Sequence, residues 1–280
     1  MEDITTFVIR QWQGAGQPHS LVESIDLISE STRRPVVVIS SNQLPSQTRN
    51  NVHHFSAILE NLDMQLKSFT KENPVKALVL ACECSGEIVP VSHFIKKYEH
   101  DLVVLWIDAH GDLNTPASSP SGNYHGMPLR TLIGDGPREI VESIGVKLSP
   151  EKIGLLGTRD LDDCEVKFIE DHGVRLWRDL NSIALDEIIE FTKDRKVYVH
   201  FDLDAINPED ISLALYKTPG GPMLEEILSI IDEVSMVSSI VEIGITEYND
   251  QEESRVRVVR EIVDKCIYCM NISPLTSRST

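Results

Sequence analysis

The chain has 280 residues, 41% hydrophobic and 25% charged, enough to bury a large core without the disulfide or metal staples that a small scaffold needs. Twenty-six lysines and arginines against 44 aspartates and glutamates leave a net charge of −18, which repels phosphate backbones and anionic lipid and sets nucleic acid and membrane partners aside. No apolar run approaches the roughly 18 residues of a membrane span, and Met1 to Gly16 lacks the basic and apolar segments of a secretory signal, so a cytoplasmic address is expected.

Short β-branched apolar runs recur at residues 6–9, 36–39, 77–80, 102–107, 153–156, 196–201 and 240–245. Being apolar on successive residues, they predict strands buried on both faces, as in a parallel sheet. Residues 55–69, 88–98, 164–172, 185–191, 223–234 and 252–267 carry helical spacing. Alternating strand and helix predict a doubly wound chain, a three-layer α/β/α sandwich with a mainly parallel central sheet. No Gly/Ser/Pro-rich linker, internal repeat or low-complexity block interrupts the pattern, so one domain over residues 1–280 is expected, with 272–280 a flexible tail.

The five cysteines are Cys82, Cys84, Cys164, Cys266 and Cys269, and an odd number without a signal peptide predicts reduced thiols. Cys266 and Cys269 have C-x-x-C spacing, but no second Cys or His pair is near them. They read as ordinary helix cysteines rather than zinc ligands.

In doubly wound sheets, ligands bind in the crevice beyond the carboxyl ends of the strands. Two predicted strand ends are loaded with ligand-type side chains. Asp108, His110 and Asp112 follow the run 102–107 at alternate positions, where extended backbone aims all three to one side. Asp202 and Asp204 repeat the device after 196–201. One such motif alone is most simply a turn or a cap. Together they place four carboxylates in one crevice, which repel and raise one another's pKa unless cations neutralise them. Carboxylates with one imidazole suit a hard to borderline ion such as Mn²⁺. Two bridged ions sharing a water that loses its proton near neutral pH would aim a nucleophile at an electrophilic carbon.

The stretch Asp108-Ala109-His110-Gly111-Asp112-Leu113-Asn114-Thr115-Pro116, the stretch Ser121-Gly122-Asn123-Tyr124-His125-Gly126, and Asp202-Leu203-Asp204-Ala205-Ile206-Asn207-Pro208 resemble the ureohydrolases. This is the arginase/agmatinase/formiminoglutamase family, and the likeness runs over roughly residues 75–249. It implies an arginase/deacetylase-like fold with two manganese ions per chain. Asp108, His110, Asp112, Asp202 and Asp204 would be the ligands, with Asp108 and Asp202 shared between the ions. His125 would pass a proton to the leaving amine, work that suits an imidazole titrating near pH 7. Glu247 would hold the substrate guanidinium, since a carboxylate accepts two parallel hydrogen bonds from that group. His125, Glu247 and Asp112 thus form the catalytic set, Asp112 being counted among the ligands as well. Glu242 is the second candidate for the guanidinium, placed inside a predicted strand rather than at its end. Asn114 and Ser121 match positions that hold an α-carboxylate, and Asp162 matches the one near the α-amino group. With Asn123 they make up the substrate-binding set and favour an amino-acid substrate over agmatine.

One position departs from the family. Its first metal histidine sits in a Gly-Gly-Asp-His-Ser segment after the strand corresponding to residues 77–80, where this chain reads Ala81-Cys82-Glu83-Cys84-Ser85-Gly86-Glu87. Counting from the strand puts Cys84 at the ligand position, and counting back from Pro90 puts Ser85 there; Cys84 is preferred. A thiolate is softer than Mn²⁺ prefers, so Zn²⁺ or Fe²⁺ becomes the alternative at the Cys84 site.

The resulting expectation is an arginase-like hydrolase of a linear amidine or guanidino C–N bond, acting through a metal-bridging hydroxide to release amine and urea. Formiminoglutamase or agmatinase-type specificity stays open, with residues 42–51 and 158–165 as the specificity loops. The alternative is a metal-poor pseudoenzyme of the same fold that serves as a binding or regulatory subunit. The expected partners are a small guanidino or amidino substrate and further copies of the chain, in a trimer or hexamer.

Overall fold

Successive residues of an extended strand face opposite sides, and the apolar runs are long enough to fill both. In β4 (Leu102–Ile107), Leu102, Val104 and Trp106 enter one hydrophobic cluster, and Val103, Leu105 and Ile107 enter the other. A strand apolar on both faces needs a helical layer on each side. The computed structural model, which describes residues 4–16, 20–32, 34–40, 46–180 and 182–274, has both layers.

The remaining strands are β1 (Ile4–Ile9), β2 (Val36–Ile39), β3 (Lys76–Ala81), β5 (Ile153–Leu156), β6 (Arg175–Trp177), β7 (Lys196–Asp202) and β8 (Ser239–Thr246). They form one parallel eight-stranded sheet in the order β2-β1-β3-β8-β7-β4-β5-β6. One face is covered by α1 (Ser20–Ser31), α7 (Ser182–Thr192), α8 (Leu224–Val237) and α9 (Glu253–Asn271). The other is covered by α2 (Phe55–Glu72), α3 (Ile88–Tyr98), α4 (Pro128–Ile133), α5 (Arg138–Ile144) and α6 (Asp163–His172). This is the expected three-layer sandwich.

All seven strands expected from apolar runs form, most within one or two residues of the expected ends. β6 escapes because a three-residue edge strand is too short to show a period. Helix α4 escapes for a similar reason, having six residues. Helix α1 is different, since Leu21, Val22, Ile25 and Ile28 are buried on one face at helical spacing. Helix α9 seats Cys266 and Cys269 in the core as free thiols, in keeping with their reading as ordinary helix residues. The expected tail falls partly outside the described residues, which end at 274, as do residues 42–45 of the first specificity loop. Among the described residues, no helix is long and apolar enough to cross a membrane.

Register is what positions the site. Ile107 of β4 pairs with Phe201 of β7, and Asp202 pairs with Thr246 of β8. Asp108 and Asp202 therefore leave adjacent strands at one level, and Glu247 follows one residue beyond it at the end of β8. β3 completes the row on the far side of β8, pairing Leu80 with Ile245. Although neighbours in space, β3 and β8 are not consecutive in the chain, nor are β7 and β4. Their outgoing connections separate and open a crevice.

Candidate metal centre

Each candidate ligand is delivered by a strand end and then by a local turn. Asp108 directly follows β4, and its Oδ1 accepts the backbone N–H of His110 at 2.7 Å. Asp202 closes β7, and its Oδ1 accepts the backbone N–H of Asp204 at 2.8 Å. These bonds curl the chain, so the extended backbone expected through Asp112 and Asp204 does not occur. Asp112 sits at φ 53°, and Asp204 lies in the 3₁₀ turn Leu203–Ala205. The four aspartates and His110 converge because Asx-type turns, rather than strand alternation, re-aim the later residues. Glu247 likewise leaves β8 at φ 59°, a left-handed conformation costly for a non-glycine residue and common where a site constrains the chain.

The result is one buried cluster. His110 Nδ1 lies 3.1 Å from Asp204 Oδ2 and 3.4 Å from Asp108 Oδ1. Cys84 Sγ donates to Asp202 Oδ2 at 3.0 Å, and Thr246 Oγ1 donates to the same oxygen at 3.2 Å. Among the described residues, three groupings of possible ligands have donor atoms within 4.8 Å of one another: Cys84, Asp108, Asp112 and His200; Cys84, Asp202 and Glu247; and Asp108, His110 and Asp204. Ser85 does not join them, since its hydroxyl is turned to Glu83 Oε1 at 2.8 Å and to the Gln11 amide at 2.9 Å. Of the two positions open in the sequence, the structure thus brings Cys84 to the cluster.

The electrostatics call for cations. Burial first, and neighbouring carboxylates after it, push Asp112, Asp202, Asp204 and Glu247 above the usual carboxylate range. Burial would raise Asp108 too, but the His110 and His200 imidazoles facing it at 3.4 and 3.6 Å hold it low. Burial would lower His110, yet its bonds to Asp108 and Asp204 outweigh that and raise it. Asp112 Oδ2, Glu247 Oε2 and His200 Nε2 are buried with no hydrogen-bond partner. Unpaired acceptors of this kind are costly in an apolar surround unless a cation engages them. The donor set, carboxylates with imidazoles and one thiol, fits two divalent ions.

This has a consequence for stability. Carboxylates raised in the folded state, and an imidazole raised beside them, make that state bind more protons than the unfolded one above the ordinary carboxylate range. Stability is then lost as pH rises. Asp108 has the opposite sign, but its window lies below that range, and the lowered imidazoles of His93 and His125, also of opposite sign, are outnumbered by the raised groups. The metal-free protein should melt at falling temperature from about pH 5 to about pH 8, and scanning calorimetry would show it. A divalent cation at about 100 times its Kd should add about 2.7 kcal/mol, roughly 5–10 °C in a chain of this size. The gain should be largest at the alkaline end, where no proton competes. A melting temperature indifferent to both pH and metal would refute the cluster.

A cleft of about 250 Å³ leads to the cluster, with Asn114, Ser121, Asn123, Asp162 and Tyr216 among its lining residues. His125 stands at its inner end, its Nδ1 3.1 Å from Glu247 Oε1. Burial keeps the imidazole below its ordinary pKa. Asn114 donates to Asp162 Oδ2 at 2.8 Å and accepts from Ser118 Oγ at 2.8 Å, so its amide is fixed in orientation. Asp162 caps α6. Glu165, pushed up to about 7 by burial, ties that helix to the Asp112 loop through the backbone N–H of Leu113 at 2.8 Å. Glu242, the second candidate for the guanidinium, is buried within β8 beside Tyr198 and does not line the cleft.

Three residues went unread in the sequence. Tyr216 borders the cleft with its ring 5.6 Å from that of His125, and nothing in the sequence of its loop marks it. Arg159 donates to the carbonyls of Gly157, Asp204, Ala205, Thr218 and Pro219 at 2.9–3.2 Å. It thereby pins the Asp204 turn to the loop that carries Tyr216. His200 precedes Asp202 by two residues, and the period of two that placed the carboxylates also puts its imidazole on the same face of β7.

Known proteins share this chain's sequence and architecture. The arginase of Staphylococcus aureus strain MSSA476 is 35% identical over 241 residues, 80% of this chain and 79% of that one. The crystal structure of Entamoeba histolytica arginase in complex with L-ornithine superposes with a TM-score of 0.82 at 24% identity, covering 96% of this chain and 98% of that one. A putative agmatinase from Clostridium difficile matches with a TM-score of 0.71 at 14% identity, covering 96% and 97%, so the fold alone does not select a substrate. The model of the Arginase family matches residues 25–268, reaching well before residue 75, where the motifs first become legible. With this match and the 35% identity to a curated arginase, the chain belongs to the arginase family.

Proposed function

We propose that this protein hydrolyses a linear guanidino or amidino C–N bond, with arginine, giving ornithine and urea, as the first substrate to test. The observation that carries the reading is the convergence of Asp108, His110, Asp112, Asp202 and Asp204 at the end of a cleft where Glu247 and His125 stand side by side. Two divalent cations, manganese by family and zinc or iron as the alternative beside Cys84, would supply Lewis acidity and an activated water. Glu247 Oε2, buried without a partner, accepts from the guanidinium and orients it. Water oxygen bonds to the guanidino carbon, the bond to the chain nitrogen breaks, and both protons of the water end on that nitrogen, which leaves as an ammonium while the oxygen stays on urea. His125 is placed to carry one of these protons, because its ring already contacts the carboxylate that holds the guanidinium. Further out, Asn114, Ser121, Asn123 and Asp162 receive the α-carboxylate and α-amino groups. That set favours an amino acid over agmatine, which has no carboxylate. The family also suggests a homo-oligomer, a trimer or hexamer, which sedimentation would check.

The test is elemental analysis of protein reconstituted with Mn²⁺, Zn²⁺ or Fe²⁺, with urea, ammonia and formamide assays on a panel of arginine, agmatine, guanidino acids and formiminoglutamate. Two ions per chain with urea release from arginine supports the reading. Release from another amidine moves the substrate within the class. A protein that binds no metal and turns over nothing is the metal-poor binding subunit instead.

A further inference from the structure

The loop after β3 carries a thiol where the family resemblance expects an imidazole, and the structure holds a buried imidazole nearby on a different strand. His200 lies on β7 with its ring fully buried. Its Nε2 has no hydrogen-bond partner and belongs with Cys84, Asp108 and Asp112 to one grouping of donor atoms within 4.8 Å. The distance from Nε2 to Asp108 Oδ2 is 3.6 Å. That is too long for a hydrogen bond, but about the separation of two donors on one tetrahedral cation, roughly 3.5 Å.

The ring is held in the orientation a ligand requires. Its Nδ1 lies 2.8 Å from Glu87 Oε2, which also accepts from Tyr198 Oη at 2.8 Å. A carboxylate at Nδ1 keeps the proton there and leaves the Nε2 lone pair pointing into the cluster, the carboxylate–histidine–metal arrangement. Trp106 stacks on the imidazole with ring centroids 3.6 Å apart and planes at 10°, and its Nε1 donates to Asp108 Oδ2 at 3.2 Å. The sheet has made room for this device. His200 pairs with Gly244 of β8, and a Cβ at Gly244 would come within 1.7 Å of Glu87 Oε1. Glycine at that position lets the Glu87 carboxylate reach the ring.

We infer that His200 is a metal ligand, completing with Cys84, Asp108 and Asp112 a cation site whose imidazole comes from β7, and that Glu87 is its positioning residue. One thiolate, one imidazole and two carboxylates favour zinc or iron over manganese at this site. The grouping of Asp108, His110 and Asp204 has oxygen and imidazole donors alone. The two positions therefore differ in metal preference. This inference deepens the metal-centre reading and rests on it.

The test loads the purified chain with Co²⁺ and follows the sulfur-to-cobalt charge-transfer band that Cys84 supplies, together with cobalt stoichiometry. Wild type should bind two ions per chain. His200→Gln should bind the band-carrying ion at least tenfold more weakly and shift the band, while the other ion stays. Glu87→Gln should weaken the same ion by about 10–100-fold. A His200→Gln protein with unchanged affinity and band overturns the inference and leaves the hydrolase reading standing; a wild type that binds no metal overturns both. Should the variant fail to fold, ¹¹³Cd spectra of wild-type protein labelled with ¹⁵N-histidine decide. The sulfur-bound cadmium must couple to an imidazole nitrogen, and a sulfur-bound cadmium without that coupling overturns the assignment.

Discussion

Asp202→Asn is expected to remove metal and turnover together, with kcat/KM falling by at least about 10³-fold, since a metal clamp contributes several kcal/mol. Asp202 is the hinge of the cluster. Its Oδ1 holds the Asp204 turn, and its Oδ2 takes Cys84 Sγ and Thr246 Oγ1. An amide in its place keeps the shape but removes the charge, and it must point an NH₂ group at one of those donors. The turn can keep its oxygen, so the fold should survive. Elemental analysis beside urea release checks this, and retained full activity would refute the cluster.

His125→Ala should lower kcat/KM by roughly 10²–10⁴-fold, chiefly through kcat, with metal content unchanged. The imidazole contacts Glu247 rather than any of the aspartates, so its loss removes the proton carrier and leaves the cation donors in place. Because the ring lines the open cleft, truncation leaves a solvent-reachable hole. Added imidazole should therefore recover part of the lost rate. An alanine variant with wild-type kcat would assign the proton to another carrier. A loss of rate accompanied by a loss of metal would mean that the ring serves the centre structurally.

Much of this molecule is legible along the chain, for identifiable reasons. β4, β5 and β7 announce themselves because both faces of a central parallel strand must be apolar. The loaded strand ends after β4 and β7 could be read because carboxylates are so seldom buried that two alternating sets beside apolar runs call for an explanation. What misled was the assumption that alternation continues past the strand. Asp112 and Asp204 arrive by turns that Asp108 and Asp202 themselves cap, so the expected residues converge by a different geometry. The choice between Cys84 and Ser85 rested on an uncertain count in the sequence. It is resolved in the fold by Glu83 and Gln11, which take the Ser85 hydroxyl away.

The sequence by itself determined the layered architecture, the acidic crevice, the identity of most cluster residues and the family, because these depend on period, composition and short motifs carried by contiguous residues. Only the tertiary structure decided which thiol or hydroxyl after β3 faces the cluster, and that β8 lies between β3 and β7. It alone showed that Glu87, Trp106 and Gly244, from three separate segments, hold the His200 ring against Asp108 and Cys84. A histidine within an apolar run reads as a core residue until its neighbours are known. Whether a buried nitrogen is satisfied or aimed at a cation depends on atoms far away in the chain, and strand pairing across non-consecutive elements is what brings them together.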